Sequence, residues 1–195
     1  MIARRLRLAR SADTPRMAAI YREDLQRTYR GIVADDWLNQ LRMTDAITTW
    51  LGFLNRPGRR CLLCVDAAGR VLGFAGWYPS LSDRSRLEFA SLYVAEESQG
   101  RGVGGLLIRS VLAHAQARGY RIVAIRAVSD NVRAVMIYRH YGAKPTATST
   151  YRFGYTVVQC TDLEWTFRGC VYGSRKYEAP HYCQRRMASS VVRAK

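Results

Sequence analysis

The order of segments along the chain predicts an α/β (α+β) domain with a mixed, largely antiparallel sheet of six to seven strands flanked by helices. Three observations carry this expectation. The runs "RCLLCVD", "RVLGFAGWYP" and "RLEFASLYV", separated only by "AAG" and "SLSDRS", read as an antiparallel meander. A glycine-rich turn then opens an amphipathic helix pattern that leads into a further strand, "YRIVAIRAV", which makes one right-handed β-α-β crossover. The full order is strand, two helical regions, three strands, then helix, strand, helix and two strands, with no internal repeat and no low-complexity linker.

Each element has its own signal. "IARRLRLAR" alternates enough for an edge or half-buried strand from about Ile2 to Ala9. "SADTPRMAAIYREDLQRTYRG" carries a helix start, with Asp13 or Thr14 as cap, Pro15 in the first turn and Gly31 as the stop. "ADDWLNQL" and "TDAITTWLGFL" continue as helix, with Asp35 and Thr44 as candidate caps and "NRPG" closing them. The helix after the glycines runs to about Arg118, "NVRAVMIYRHYG" is a short helix, and "STYRFGYTVV" and "TDLEWTF" are the last two strand runs. The organised domain spans 1–167, and a basic extension occupies 168–195.

A chain of 195 residues is long enough for one good core and short for two. With 48% hydrophobic and 24% charged residues it reads as soluble and globular, not disordered. No apolar run approaches the roughly 18 residues of a membrane span, and the arginine-rich start lacks the apolar centre of a secretory signal. A cytoplasmic protein without a membrane partner is expected. Thirty-one basic against fifteen acidic residues give a net charge of +16, which predicts attraction to polyanions, either nucleic acid or a phosphorylated cofactor. The excess gathers at the two ends. Five cysteines are scattered, and the Cys61-x-x-Cys64 pair lies in a predicted hairpin where residues three apart face opposite sides, so buried reduced thiols are expected there. No second pair stands at zinc-finger spacing.

The segment "SQGRGVGGLLIRSV" has a physical reading of its own. A helix N-terminus presents unpaired N–H groups and about half a positive charge, so it binds phosphate wherever the backbone can come close. Gly100, Gly102, Gly104 and Gly105 lack the Cβ atoms that would obstruct that approach, and Arg101 adds a mobile positive charge. Pyrophosphate is a natural occupant. A dinucleotide fingerprint fits poorly, because the spacing is G-x-G-x-G-G after antiparallel strands and "YRIVAIRAV" ends without an acid. A Walker loop fails because no Gly-Lys-Ser/Thr follows.

Gln99, Gly102 and Gly104 spell Q-x-x-G-x-G after a strand ending "LYV", which resembles the acetyl-CoA signature of the GNAT superfamily of N-acetyltransferases. "SDNVRAVMIYRHYGA" is similar to that family's N-x-x-A-x-x-x-Y-x-x-x-G block, with Asn131, Ala134, Tyr138 and Gly142 in register. "TYRGIVADDWLNQL" is similar to a phrase common in bacterial members whose substrates are mostly unassigned. The similarity covers roughly Ile2 to Phe167 and implies a GNAT-like fold, acetyl-CoA as cosubstrate and no metal. It also implies that Leu92, Tyr93 and Val94 meet the pantetheine arm through their backbone. Gln99, Gly100, Arg101, Gly102, Val103 and Gly104 would hold the pyrophosphate with Gly105 beside them, Asn131 would touch the cofactor, and Tyr138 would sit near its sulfur.

Acetyl transfer from a thioester to an amine requires a base for the ammonium, donors for the oxyanion and an acid for the thiolate. Tyr138 is the candidate acid, since a phenol of ordinary pKa about 10 is protonated at neutral pH and donates only slightly uphill to a thiolate whose acid lies near 8.5. Glu88 is the candidate base. It stands eleven positions before Gln99, which resembles the general-base glutamate of the histone-acetylating branch, and it shares a strand face with Ala90 and Leu92 provided that no bulge intervenes. A strand-end carboxylate paired with Arg84 or Arg86 is the structural alternative. The acceptor pocket is expected near Tyr29, Trp37, Trp50 and the loop "YPSLSDRS".

Three details depart from the family pattern: Ala95-Glu96 after the strand, Ala143 after Gly142, and the tail beyond Trp165. The tail mixes Tyr172, Tyr177 and Tyr182 with arginines, which is compatible with RNA or ribosome contact, with homodimer contacts and with an unordered end. Three functions stay open at this level. They are an N-acetyltransferase acting on a primary amine of a small molecule or protein, an acyltransferase acting on aminoacyl-tRNA or a ribosomal protein, and a non-catalytic acyl-CoA sensor.

Overall fold

The computed structural model describes residues 4–167. Seven strands form one sheet: β1 (Arg5–Leu8), β2 (Arg60–Val65), β3 (Val71–Pro79), β4 (Arg86–Val94), β5 (Ile122–Val128), β6 (Lys144–Phe153) and β7 (Thr156–Thr166). Their order is β1-β2-β3-β4-β5-β7-β6, and every neighbouring pair is antiparallel except β4 with β5. The helices are α1 (Thr14–Thr28), α2 (Asp35–Gln40), α3 (Met43–Asn55), α4 (Val103–Ala117) and α5 (Val132–His140). This is the mixed, mostly antiparallel sheet that the segment order predicted. Among the described residues no helix is long and apolar enough to cross a membrane.

The sheet separates two cores. On one face α4 buries Val103, Leu107, Ile108, Val111 and Ala115, the three- and four-residue spacing of a single helix stripe, together with Tyr138 of α5 and Trp165 of β7. On the other face α1 and α3 bury Met17, Ala18, Ile20 and Trp50 against Phe74. Cys64 belongs to the first core and Cys61 to the second, both reduced and buried, as the spacing along β2 required.

Several boundaries differ from the sequence reading. Residues 1–3 lie outside the described residues, so the first strand is seen from Arg5. Pro15 occupies the first turn of α1 as expected, but α2 and α3 begin at Ala34 and Arg42 without a side-chain cap, not through Asp35 and Thr44. The run "STYRFGYTVV" is not one strand. It contains the β6–β7 turn at Gly154, whose φ of +54° bends the chain, and "TDLEWTF" continues the second arm. That turn packs on α2, since a Cβ at Gly154 would stand 2.3 Å from Trp37 Cδ1.

Two irregularities position the site. β4 and β5 pair only at Arg86↔Ile122, Leu87↔Val123 and Glu88↔Ala124, after which β5 stays with β7 while β4 stays with β3. Just past that point the β3–β4 register passes from Trp77↔Phe89 to Gly76↔Ser91, leaving Ala90 as an extra residue in β4. A bulge of this kind bends the strand and reverses which residues face which side.

Candidate active site

The divergence of β4 from β5 leaves the β5-facing edge of β4 without a strand partner from Phe89 onward. Exposed backbone groups of this kind need another partner, and an amide-rich extended ligand supplies one. Against this edge lies a cavity of about 380 Å³ lined by Leu92 and Val94 of β4, the start of α4, Asn131, Ala134 and Tyr138, and Asp24, Arg27 and Thr28 reaching across from α1.

The start of α4 is built for close approach. Gly102 caps the helix with φ +81°, and Gly100 stands at +68°, a backbone region that residues with a Cβ seldom occupy. Gly104 lines the cavity, and a Cβ built there would touch nothing closer than Val94 Cγ2 at 3.7 Å. Among the described residues the packing therefore leaves room for a side chain at 104. Gly105 differs, because its Cβ would fall 1.9 Å from the Tyr141 hydroxyl, so its smallness serves the packing of α4 on Tyr141.

Leu92, Val94, Gln99, Gly100, Gly102, Val103, Gly104, Gly105, Asn131 and Tyr138 all line this cavity, called the donor cavity below for the role proposed for it, so the two sequence blocks meet at one place. Other placements correct the sequence reading. Arg101 is exposed and lines a separate cleft with Arg4, Asp66, Arg70 and Glu97, because the two positive-φ glycines on either side turn its side chain away. The charge facing the donor cavity comes instead from Arg27 and Arg133. Gln99 is engaged within the protein: its Nε2 donates to Val94 O at 3.1 Å, and its Oε1 accepts from Arg133 Nη1 at 2.9 Å. Asn131 Oδ1 caps α5 by accepting from Ala134 N at 3.1 Å. Tyr93 turns its ring to the opposite face of β4, edge-on to Tyr21 at 5.2 Å.

Tyr138 is buried, its ring 6.0 Å from that of Trp165 and 6.3 Å from that of Phe89. Burial pushes its phenol well above the ordinary value, so it is a neutral O–H donor throughout the physiological range.

Asp24 has no counterpart in the sequence reading. It is partly buried, lines the donor cavity and accepts from Arg27 Nη2 at 2.7 Å, while Arg27 also reaches Glu96 at 3.2 Å. Burial holds its carboxyl above the ordinary range, against the lowering pull of Arg27 and Arg133. A carboxyl raised in the folded state favours folding while protonated, and that contribution is lost as the pH rises through its folded value. Asp24→Asn is therefore expected to be more thermally stable than the parent at pH 7, with the advantage fading below about pH 4. Melting curves across that range check it.

A second cavity, of about 560 Å³, opens on the α1 face of the same strand divergence. Tyr21 of α1, Tyr29 just past its end, Tyr78 of β3, Tyr93 of β4 and Tyr151 of β6 line it together with Glu88. The bulge at Ala90 decides this placement. Leu87 and Phe89 belong to the α4-side core with Leu92 and Val94, so Glu88 shares its face with Tyr93 and not with Leu92. Glu88 also has the ion-pair partner that was its structural alternative, since Arg86 Nε donates to its Oε1 at 2.9 Å. Of the residues expected around the acceptor, Tyr29 and the loop-flanking Tyr78 line this cavity. Trp50 is buried in the α1–α3 core, and Trp37 packs on Phe153 and the β6–β7 turn.

A splayed parallel strand pair, a glycine-opened helix facing the gap and a second cavity behind it make up the candidate site. The chain belongs to the acetyltransferase (GNAT) family, whose profile matches residues 17–143. The L-methionine sulfoximine/L-methionine sulfone acetyltransferase of Pseudomonas aeruginosa is 29% identical over 140 residues, covering 70% of this chain and 78% of that one. A ribosomal-protein-alanine N-acetyltransferase structure from Brucella melitensis superposes with a TM-score of 0.66 at 22% identity, covering 84% of this chain and 99% of that one. A Salmonella typhimurium structure solved with its cofactor acetyl-CoA gives 0.65 at 19% identity, covering 89% and 99%. At these identities the two structures speak to the fold alone.

Proposed function

We propose that residues 1–167 form an N-acetyltransferase domain that moves an acetyl group from acetyl-CoA to the primary amine of a small molecule or protein. The observation that carries this reading is the strand divergence with a different cavity on each face: glycine-cradled and flanked by Arg27 and Arg133 on one side, tyrosine-lined on the other. A phosphate-bearing donor and an amine-bearing acceptor are thereby supported as meeting at one gap.

In this reading the unpaired edge of β4 around Leu92, Tyr93 and Val94 aligns the thioester and polarises its carbonyl through a main-chain N–H. Glu88 takes one proton from the ammonium, directly or through water. The amine nitrogen attacks the carbonyl carbon, the C–N bond forms, and the C–S bond breaks. Tyr138 gives its proton to the departing sulfur and recovers one from the nitrogen as the amide is completed. The sum is ammonium plus thioester giving amide, thiol and one released proton.

Thiol release with a panel of amines tests the reading. Glu88→Gln is expected to lower kcat about a hundredfold with the KM for acetyl-CoA unchanged. A variant with full turnover removes Glu88 as the base. Acetyl-CoA binding without thiol release for any amine, peptide or RNA would replace the transferase reading with that of a sensor.

A further inference from the structure

The tyrosine-lined cavity differs in charge from the rest of the chain. The protein carries a net charge of +16, yet among the described residues the charged side chains that line this cavity are three carboxylates, Glu88, Asp162 and Glu164, and two guanidiniums, Arg86 and Arg126. Both arginines are engaged. Arg86 holds two acids at once, its Nε donating to Glu88 at 2.9 Å and its Nη1 donating to Glu164. Arg126 Nε donates to Asp162 at 2.7 Å across the β5–β7 pair. One guanidinium shared between two glutamates leaves a surplus negative charge beside the gap, and the Arg126–Asp162 pair is neutral.

The walls add a second, independent feature. Tyr21, Tyr29, Tyr78, Tyr93 and Tyr151 surround the space, with Phe153 behind Tyr151 at a ring separation of 4.8 Å. Burial raises the phenols of Tyr21 and Tyr29, Tyr21 to about 12, so these two walls contribute ring faces and neutral hydroxyls. Ring faces and a surplus carboxylate both favour an ammonium carried on an apolar body. Among the described residues that line this cavity, a carboxylate on the ligand would meet no guanidinium that is not already paired and no helix N-terminus. It would have to displace Glu88, Glu164 or Asp162 from its arginine. Arg59, whose guanidinium covers the Tyr78 ring at 4.6 Å, belongs to a different cleft with Arg7 and Arg60.

We infer that this cavity selects a cationic amine that carries an aromatic or aliphatic body and no carboxylate, and so discriminates against free α-amino acids. The inference rests on the N-acetyltransferase reading and narrows its acceptor. It also separates this chain from its Pseudomonas relative, which is named for two amino acid derivatives. The large positive charge of the chain thus does not extend to the acceptor, which meets a local field of the opposite sign.

The test uses pairs of compounds that differ only by a carboxylate: tyramine and tyrosine, phenethylamine and phenylalanine, cadaverine and lysine. Each is presented to the full chain with acetyl-CoA, with thiol release and acetylated product both measured. The amine of at least one pair is expected to exceed its amino acid in kcat/KM by on the order of a hundredfold, a gap that one uncompensated charge in a partly enclosed site can produce. Glu164→Gln frees one bond of Arg86 and removes the surplus charge. It is expected to raise the KM of the preferred amine about tenfold and to narrow the gap within the pair, while the KM for acetyl-CoA stays constant. Amino acids turned over as well as or better than their amines would overturn the inference and leave the transferase intact. Turnover of neither member of any pair, with acetyl-CoA still bound in a calorimetric titration, would overturn the inference, and the transferase reading would fall with it only if the wider panel of amines, peptides and RNA also released no thiol.

Discussion

Gly104→Leu should leave the protein folded and raise the KM for acetyl-CoA by on the order of a hundredfold, because the side chain fills the approach to the helix N-terminus. The separation of the two effects is what makes the variant informative. A Cβ at this position meets only Val94 Cγ2 at 3.7 Å, so the new side chain extends into the donor cavity and not into the core. Leucine is also a better helix former than glycine by up to about 1 kcal/mol, so the melting temperature should hold or rise. Gly105→Leu is the control, since its Cβ would collide with the Tyr141 hydroxyl at 1.9 Å and its loss of activity should come with a loss of stability. Melting curves and acetyl-CoA titrations of both variants check this. Unimpaired acetyl-CoA binding by a folded Gly104→Leu protein would remove the phosphate cradle from α4.

Tyr138→Phe should lower kcat by roughly a hundredfold to a thousandfold, the range of a lost general acid, without weakening acetyl-CoA binding. The ring is retained, so its packing on Phe89 and Trp165 survives and only the hydroxyl is removed. Burial raises the phenol well above its ordinary value, which by itself makes it a weaker acid. A thiolate that leaves beside it in the same enclosure would also be more basic, which offsets part of that loss. Single-turnover measurements isolate this step from product release. Full turnover at the pH optimum would leave Tyr138 as a core residue only.

Much of this arrangement is legible in the sequence because it follows from local periodicity. The meander from Arg60 to Val94 shows in its alternation and turn residues, and α4 shows in the glycines before Val103 and in the apolar stripe from Val103 to Ala115. What eluded the sequence depends on phase or on distant partners. "LEFASLYV" alternates equally well with or without an extra residue, so only the pairing with β3 reveals that Ala90 is the bulge and that Glu88 faces away from Leu92. The direction of Arg101 is set by left-handed backbone at Gly100 and Gly102, a conformation that glycine permits but does not announce. Asp24 sits in an ordinary helical stretch, and only the folding of α1 across the gap brings it to the donor cavity. The β6–β7 turn at Gly154 was hidden inside a run of strand-forming residues, and Trp37 was placed at the acceptor because its packing against that turn could not be foreseen.

The extra residue at Ala90 makes β4 sensitive to length in a way that it is not to composition. Before it, odd-numbered side chains enter the core beneath α4; after it, even-numbered ones do. A one-residue deletion there would leave the sequence almost unaltered and yet rotate one half of the strand against the other. Either Glu88 would enter the apolar core, or Tyr93 would exchange places with its neighbours at the gap. Ala90 itself is small and exposed, and it lines the tyrosine-walled cavity, so its size matters there as well as its presence. Drift at this position should therefore be confined to small residues, while any change in the count is refused.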